Sequence, residues 1–453
     1  MTQVIDYIVG LGSYIFVPMI MIIIGIAMGL SIRKAIKAGV TVGIGLIGVS
    51  IVSTLTEESL SPVINIMVER LNLNLTAIDV GGGPAAAIGF GSALGGLLII
   101  VILLVNLLML ALNLTNTMNI DIYNFWYFAI TAGFVQILTG NSVLAIMAGV
   151  THAILSLKVA DVTAKRVQKV IGIEGIAIPH GFAAASAPLF MVLDKVYDHI
   201  PFLNGSKEEK ESKKEQSKTM KFIGSIIGDP LYLGLILGAA FGLIAGYDFK
   251  GVMDITMKTA GIMVLFPTMV KMIVSGLIPI SNQAKEFFSS KFEDRELYIG
   301  LDSAVTIGHS VTISVGMLMI PVFMIFAAIL PGNTTLPLGE VPFAAFYVCF
   351  ATIIHNGDRL RTIISSLIFI PIVLYISSWA APLLTKMGEA QGLTLVQQGQ
   401  EATTMALGNL FIYLPAKIAQ APVMAGILLA AISILAIVGG LYLEKKQKVK
   451  AGN

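Results

Sequence analysis

Long apolar runs broken by short polar or Gly/Pro-rich segments dominate this chain. Runs near span length, about 20 residues, fall at 14–30, 38–55, 94–114, 231–247, 256–277, 311–330, 343–354, 362–384 and 422–443. The run 122–157 holds two, divided near Thr139-Gly140-Asn141. The pattern predicts an all-α polytopic integral membrane protein with about eleven transmembrane helices. Three segments do not read as simple spans. Asp79-Val80-Gly81-Gly82-Gly83-Pro84 is a cluster of breakers. The stretch 174–188 is apolar, too short to span and broken by Pro179 and Pro188, and 300–309 is similar. Non-helical backbone at membrane depth survives only where protein buries it or it lines a polar cavity. Segments 172–190 and 300–310 are therefore expected to be re-entrant hairpins that meet near the midplane, their half-helix ends offering free backbone groups to a ligand.

Two of these segments share a pattern. Gly172-Ile173-Glu174 leads through Ile176-Ala177-Ile178 to His180, and Gly300-Leu301-Asp302 leads through Ala304-Val305 to His309. Carboxylates and imidazoles at bilayer depth are costly and mark functional sites. Finding the pattern twice predicts an internal repeat around a central polar site, as in many transporters. On a continuous helix, Asp302 and His309 would share one face two turns apart. Between Glu174 and His180, Pro179 forbids that alignment. The plain alternative is that each His caps a hairpin and each carboxylate satisfies broken backbone.

Composition narrows the class. Charged residues make up 12% of 453, far below the roughly 25% of soluble domains, and mean hydropathy is +0.87. The net charge of +2 and the absence of a basic stripe beside aromatics exclude a nucleic-acid binder. No Gly-x-x-x-x-Gly-Lys-Ser/Thr loop is present, so no ATPase is expected, and no His/Cys cluster has metal-ligand spacing. The single Cys349 lies in an apolar run and reads as a buried membrane residue. The N-terminal segment lacks the features of a cleaved signal, so the first run is expected to stay as a span. Lys and Arg concentrate at 33–37, 158–169, the loop 194–221, 285–295, 359–361 and the C-terminal tail. These are expected on the cytoplasmic side, with the N-terminus outside.

Other polar residues carry weaker signals. Gln136, in an otherwise apolar stretch, hydrogen-bonds either another helix or a ligand hydroxyl. His152 reads as a helix–helix contact. His355 reads as a solvated turn residue, or one that helps a phosphodonor dock, and His199 as solvent-facing. Asp121, in Asn119-Ile120-Asp121-Ile122-Tyr123-Asn124-Phe125-Trp126, reads as a helix cap in an aromatic interface belt. Asp248 reads as part of a span-ending turn.

The segments 172–181, 300–309, 120–126 and 246–251, together with Pro331-Gly332-Asn333 and Leu336-Pro337-Leu338-Gly339, resemble the galactitol-type enzyme IIC of the bacterial phosphotransferase system, a family related to the ascorbate-type permeases. The resemblance covers the chain from first span to last. It implies a single membrane domain over 1–453, with a scaffold and a mobile core, elevator-type alternating access, a homodimer in the lipid of the bacterial inner membrane, and no cofactor. It also implies a linear polyol substrate such as galactitol that arrives inside as its phosphate, with separate cytoplasmic IIA and IIB subunits as donors. The positions that match the family's polar core are Asp79, Gln136, Glu174, His180, Asp302 and His309, with His180 and Asp302 as the catalytic candidates. Physically, a polyol needs several donors and acceptors held close together. A phosphodonor Cys must reach water, and Cys349 lies in a span, so the donor is expected on another polypeptide. The competing reading is a secondary transporter of a polyol or organic anion, driven by protons or sodium, with the same residues as a relay.

Overall fold

The structure, a computed structural model, describes residues 13–70, 75–92, 94–203, 230–291, 296–337, 340, 344–393, 396, 399–421 and 423–451. The predicted apolar runs lie largely in helix. The first half of the chain runs α1 (Ser13–Ala27), α2 (Ile32–Arg70), β1 (Ala77–Asp79), α3 (Gly82–Gly91), α4 (Gly95–Ala111), β2 (Thr117–Asn119), α5 (Trp126–Thr139), α6 (Ser142–Ile171), β3 (Ile176–Ala177) and α7 (Ala183–Tyr197). The second half repeats that order: α8 (Pro230–Ala245), α9 (Phe249–Lys291), β4 (Tyr298–Gly300), α10 (Ser310–Ile329), β5 (Thr335–Leu336), α11 (Ala344–Ile354), α12 (Arg359–Glu389), β6 (Glu401–Thr403) and α13 (Leu410–Ala419), followed by α14 (Ala425–Ala451). The place of α3 is taken in the second half by a 3-10 turn, Ser303–Thr306.

The strands correct the all-helical reading. They form two three-stranded parallel sheets, ordered β5-β1-β6 and β2-β4-β3. Each sheet takes its central strand from one half of the chain and both flanking strands from the other, so the halves are interlocked. Strands of two or three residues are too short to show a two-residue period in sequence. In a span they do what helix cannot at a break, pairing backbone that lipid leaves unsatisfied. The internal repeat is present, but its register differs from the expected one. Segments 172–181 and 300–309 are neighbours in one sheet, with Ile176 opposite Ile299 and Ala177 opposite Gly300. Topologically, β1 corresponds to β4 and β3 to β6. Gly300 is required there: a Cβ on it would sit 2.7 Å from Pro179 Cγ and 3.0 Å from Asn119 Cα.

Helices α1, α2, α8 and α9 pack chiefly on one another, and the strands and remaining helices form the body beside them. Among the described residues, four helices are long and apolar enough to cross a membrane: α6, α10, α12 and Ala425–Gln447 of α14. A fifth follows if Pro84–Gly91 and Gly95–Ala111, bent by 84°, form one span. Length and composition thus identify fewer spans among the described residues than the expected eleven, and four further apolar helices are 10–17 residues long. The predicted break near Gly140 is real: it caps α5 with φ 66°.

Some charges sit elsewhere than expected. Lys158 lies inside the 30-residue α6 and is buried. Its Nζ meets Asp161 at 2.8 Å and Glu444 at 2.7 Å, which offsets the cost of burying it. His355 is buried rather than solvated; it bonds Asp194 at 2.9 Å and Ser365 at 2.8 Å. The buried Arg361 joins Asp194 and Asp198, each at 3.0 Å. Of the basic loop, 204–221 lies outside the described residues. Cys349 is buried, as expected.

Candidate functional site

A cavity of about 230 Å³ is lined by residues that follow strands of both sheets. It is lined by Asn124, Trp126, Tyr127, His180, Phe182, Asp302, Glu340, Phe346 and Tyr347, with Gly82 and Ala406. Each polar wall group follows the C-terminal end of a strand. Asp121 and Asn124 follow β2, Asp302 follows β4 and His180 follows β3. On the other side, Asp79 ends β1, and Glu340 and Ala406 follow β5 and β6. Strand ends put these groups here because the chain turns from paired backbone into a helix start, where side chains satisfy the first free N–H groups.

On the first wall, Asp302 Oδ1 accepts from Ala304 N at 2.8 Å, and Asn124 Nδ2 donates to Asp302 Oδ2 at 2.9 Å. The same amide nitrogen donates to Asp121 Oδ1 at 2.9 Å, so one Asn bridges two carboxyl groups. Asp121 Oδ2 is buried and has no hydrogen-bond partner among the described residues. His180 Nδ1 accepts from Phe182 N and Ala183 N, both at 3.2 Å. With Nδ1 committed as an acceptor, a neutral His180 carries its proton on Nε2. That nitrogen stands 3.8 Å from Asp302 Oδ1, beyond direct hydrogen-bond reach and suited to bridging by a ligand hydroxyl. The carbonyl of Gly181 behind it is fixed twice, by Asn409 Nδ2 at 2.9 Å and His152 Nε2 at 2.9 Å.

On the second wall, Asp79 Oδ2 accepts the backbone N–H of Glu340 at 2.9 Å. Glu340 Oε2 accepts from Tyr347 Oη at 2.9 Å and Ala406 N at 2.6 Å. A Cβ at Gly82 would lie 2.7 Å from Glu340 Oε1, so a side chain there would displace that oxygen. The aromatic rings form the apolar faces, with Trp126 stacked on Tyr127 at 3.7 Å.

Of the residues read from the sequence, the structure brings His180 and Asp302 into this cavity and sets Asp79 directly behind Glu340. Glu174 is on an exposed turn before β3. His309 caps α10 through Nδ1, and the intervening 3-10 turn means it shares no continuous helix with Asp302. The capping alternative thus describes both His309 and His180. Gln136 lies outside the cavity lining, and its Oε1 is buried with no hydrogen-bond partner among the described residues. Asp121 is not a belt residue: it makes no cap bond and is buried behind the wall. Sequence reasoning missed Glu340, Asn124 and Asn409. Glu340 is the one carboxylate in an apolar run around Pro337 and Pro342, a signal of the same kind as Asp302.

A family profile described as "PTS system sugar-specific permease component" (EIIC-GAT) matches residues 7–399. The chain is 47% identical over 406 residues to an Escherichia coli (strain K12) protein named "Putative permease IIC component", covering 90% of this chain and 91% of the relative. It is 33% identical over 391 residues to the "PTS system galactitol-specific EIIC component" of Escherichia coli (strain K12), covering 86% and 85%, and equally so to that of Escherichia coli O157:H7. Matched over most of its length, the chain belongs to the EIIC-GAT family of phosphotransferase-system sugar-specific permease components.

Proposed function

We propose that this chain is the membrane subunit that imports a linear polyol such as galactitol while a separate cytoplasmic IIB subunit, recharged by IIA, phosphorylates it. One observation carries the reading. A small cavity gathers the carboxyl groups of Asp302 and Glu340, an imidazole N–H beside Asp302, and aromatic rings for the C–H edges of the chain. Its volume lies below the roughly 300 Å³ of drug-sized sites and suits a compact ligand rich in hydroxyls. In this reading a substrate hydroxyl sits between His180 Nε2–H, as donor, and Asp302 Oδ1, as acceptor. Asp302 takes the hydroxyl proton as the oxygen attacks the donor's phosphocysteine. The P–S bond breaks, the P–O bond forms, and catalysis is mainly a matter of position. His180 is a poor base, since its proton already occupies the nitrogen that faces the substrate. Helices α1, α2, α8 and α9 are the scaffold of a homodimer in the bacterial inner membrane, and the body carrying the cavity moves against it.

The ion-coupled alternative has one observation in its favour: polar atoms of Asp121, His180 and Asp302 lie within 4.8 Å of one another, close enough to share a cation. The tautomer weighs against it, because a ligating Nε2 must be unprotonated, and that would cost His180 its two backbone bonds. The experiment is in vitro phosphorylation. Membranes carrying this chain, with IIA, IIB, the general phosphotransferase proteins and phosphoenolpyruvate, are expected to form a polyol phosphate from at least one hexitol or pentitol. Phosphorylation of aldoses alone, with no polyol phosphorylated, contradicts the reading.

A further inference from the structure

His152 is a wholly buried imidazole on α6 that the reaction above leaves unused, and it lies outside the cavity lining. Both of its nitrogens are engaged. Nε2 stands 2.9 Å from the Gly181 carbonyl oxygen, and a carbonyl only accepts, so Nε2 carries a proton. Nδ1 stands 2.8 Å from Thr131 Oγ1 on α5. Among the described residues no carboxylate bonds the ring, and an unpaired buried charge is costly, so His152 is neutral and Nδ1 accepts from the Thr131 hydroxyl. The rings of Phe128 and Phe411 cross its plane at 86° and 80° and hold it. The Gly181 oxygen has a second donor, Asn409 Nδ2, also at 2.9 Å. Asn409 Oδ1 takes the Phe411 N–H at 2.8 Å, which fixes the amide with its nitrogen toward Gly181. The Gly181 carbonyl and the Phe182 N–H belong to one planar peptide unit. That N–H donates to His180 Nδ1 at 3.2 Å. The unit has little room to turn, since a Cβ on Gly181 would lie 2.7 Å from Tyr127 Cβ.

We propose that His152 and Asn409 are positioning residues: through the Gly181–Phe182 peptide they hold His180 Nδ1 as an acceptor and keep its Nε2–H aimed at the substrate hydroxyl. The inference rests on the polyol reading above, in which that N–H is the donor to substrate. Hydrogen bonds in series polarise one another. Two donors on the Gly181 oxygen make the Phe182 N–H a stronger donor, and the ring that receives it is held more firmly. Neither positioning residue touches the substrate. His152 comes from the first half of the chain and Asn409 from the second, so the aim of the donor depends on both halves of the interlock. The other N–H on His180 Nδ1, from Ala183, lies outside this peptide unit and stays when the relay is cut. Loss of either positioning residue therefore weakens binding in part, by less than loss of the His180 ring.

The test is a double-mutant cycle read by equilibrium binding to the purified full-length chain. The probe is labelled galactitol, or the hexitol or pentitol that the chain phosphorylates best. His152→Leu and Asn409→Ala are each expected to weaken binding about 3- to 10-fold. His152→Gln offers an amide N–H to the Gly181 carbonyl from the same place and should recover most of that loss. In a His180→Ala background, His152→Leu and Asn409→Ala should change affinity by less than about twofold, because their effect passes through the missing ring. A merely structural role gives the same fold-loss with and without His180. That result, or parent affinity in both single variants, overturns the inference and leaves the polyol reading standing. Thr131→Val is nearly isosteric and removes the donor to His152 Nδ1. It takes the place of His152→Leu in the cycle if the leucine variant does not fold, with the same expected and contrary results. A parent chain that binds no hexitol or pentitol overturns both readings.

Discussion

The ring of His180 divides its work between two nitrogens, and substitutions can separate them. Nδ1 holds two backbone N–H groups at the start of α7, each at 3.2 Å, and Nε2 faces the cavity 3.8 Å from Asp302 Oδ1. Asn places an amide oxygen near the position of Nδ1, and Gln places an amide nitrogen near that of Nε2. His180→Asn should therefore keep the cap and lose the donor to substrate. Losing one hydrogen bond to a neutral hydroxyl costs roughly 0.5–1.5 kcal/mol, and up to about 3 kcal/mol where the partner is charged. Polyol affinity should fall about 3- to 100-fold while thermal stability stays near the parent's. His180→Gln should do the reverse, retaining most of the affinity and losing about 0.5–2 kcal/mol of cap stability. His180→Ala loses both. The assay pairs equilibrium binding of labelled polyol with a thermal unfolding scan in detergent. Full affinity in His180→Asn together with lost affinity in His180→Gln would refute the tautomer assignment and, with it, the choice of Asp302 as proton acceptor.

Other substitutions test neighbouring parts. Asp302→Ala should abolish phosphorylation while the protein still inserts and elutes as a single oligomer, as measured by vesicle phosphorylation and size-exclusion chromatography. Asn409→Ala removes one of two restraints on the Gly181 carbonyl and should lower stability by about 1–3 kcal/mol, read by denaturant titration. Gly300→Ala forces a Cβ into Pro179 and the β2 backbone, so expression and unfolding temperature should both drop. Cys349→Ala should leave uptake intact, because the buried thiol lies outside the cavity lining and the donor proposed here is a separate subunit.

Much of this was legible in the sequence, and what was not has physical causes. Apolar runs set the helices because a span must be apolar over its length. His180 and Asp302 stood out because polar groups in such runs are costly. The strands did not, because two or three residues carry no period, and without them the pairing of β3 with β4 looked like a repeat. Glu174 matched Asp302 in the local pattern, but lies before its strand where Asp302 lies after, and a strand's two ends face opposite ways. His355 and Lys158 read as loop charges because their partners, Asp194 and Glu444, are 161 and 286 positions away. Glu340 and Asn409 were missed because their work is done across the interlock between halves, through Asp79 and Gly181.

The central claim is that entry is coupled to phosphorylation, and uptake in sealed vesicles tests it most directly. Right-side-out vesicles carrying this chain are loaded with IIA, IIB, the general phosphotransferase proteins and phosphoenolpyruvate, then given labelled polyol outside. The account predicts that all accumulated label is polyol phosphate, and that accumulation stops when phosphoenolpyruvate or IIB is left out. Proteoliposomes holding this chain alone that concentrate unmodified polyol on an imposed proton or sodium gradient would contradict it.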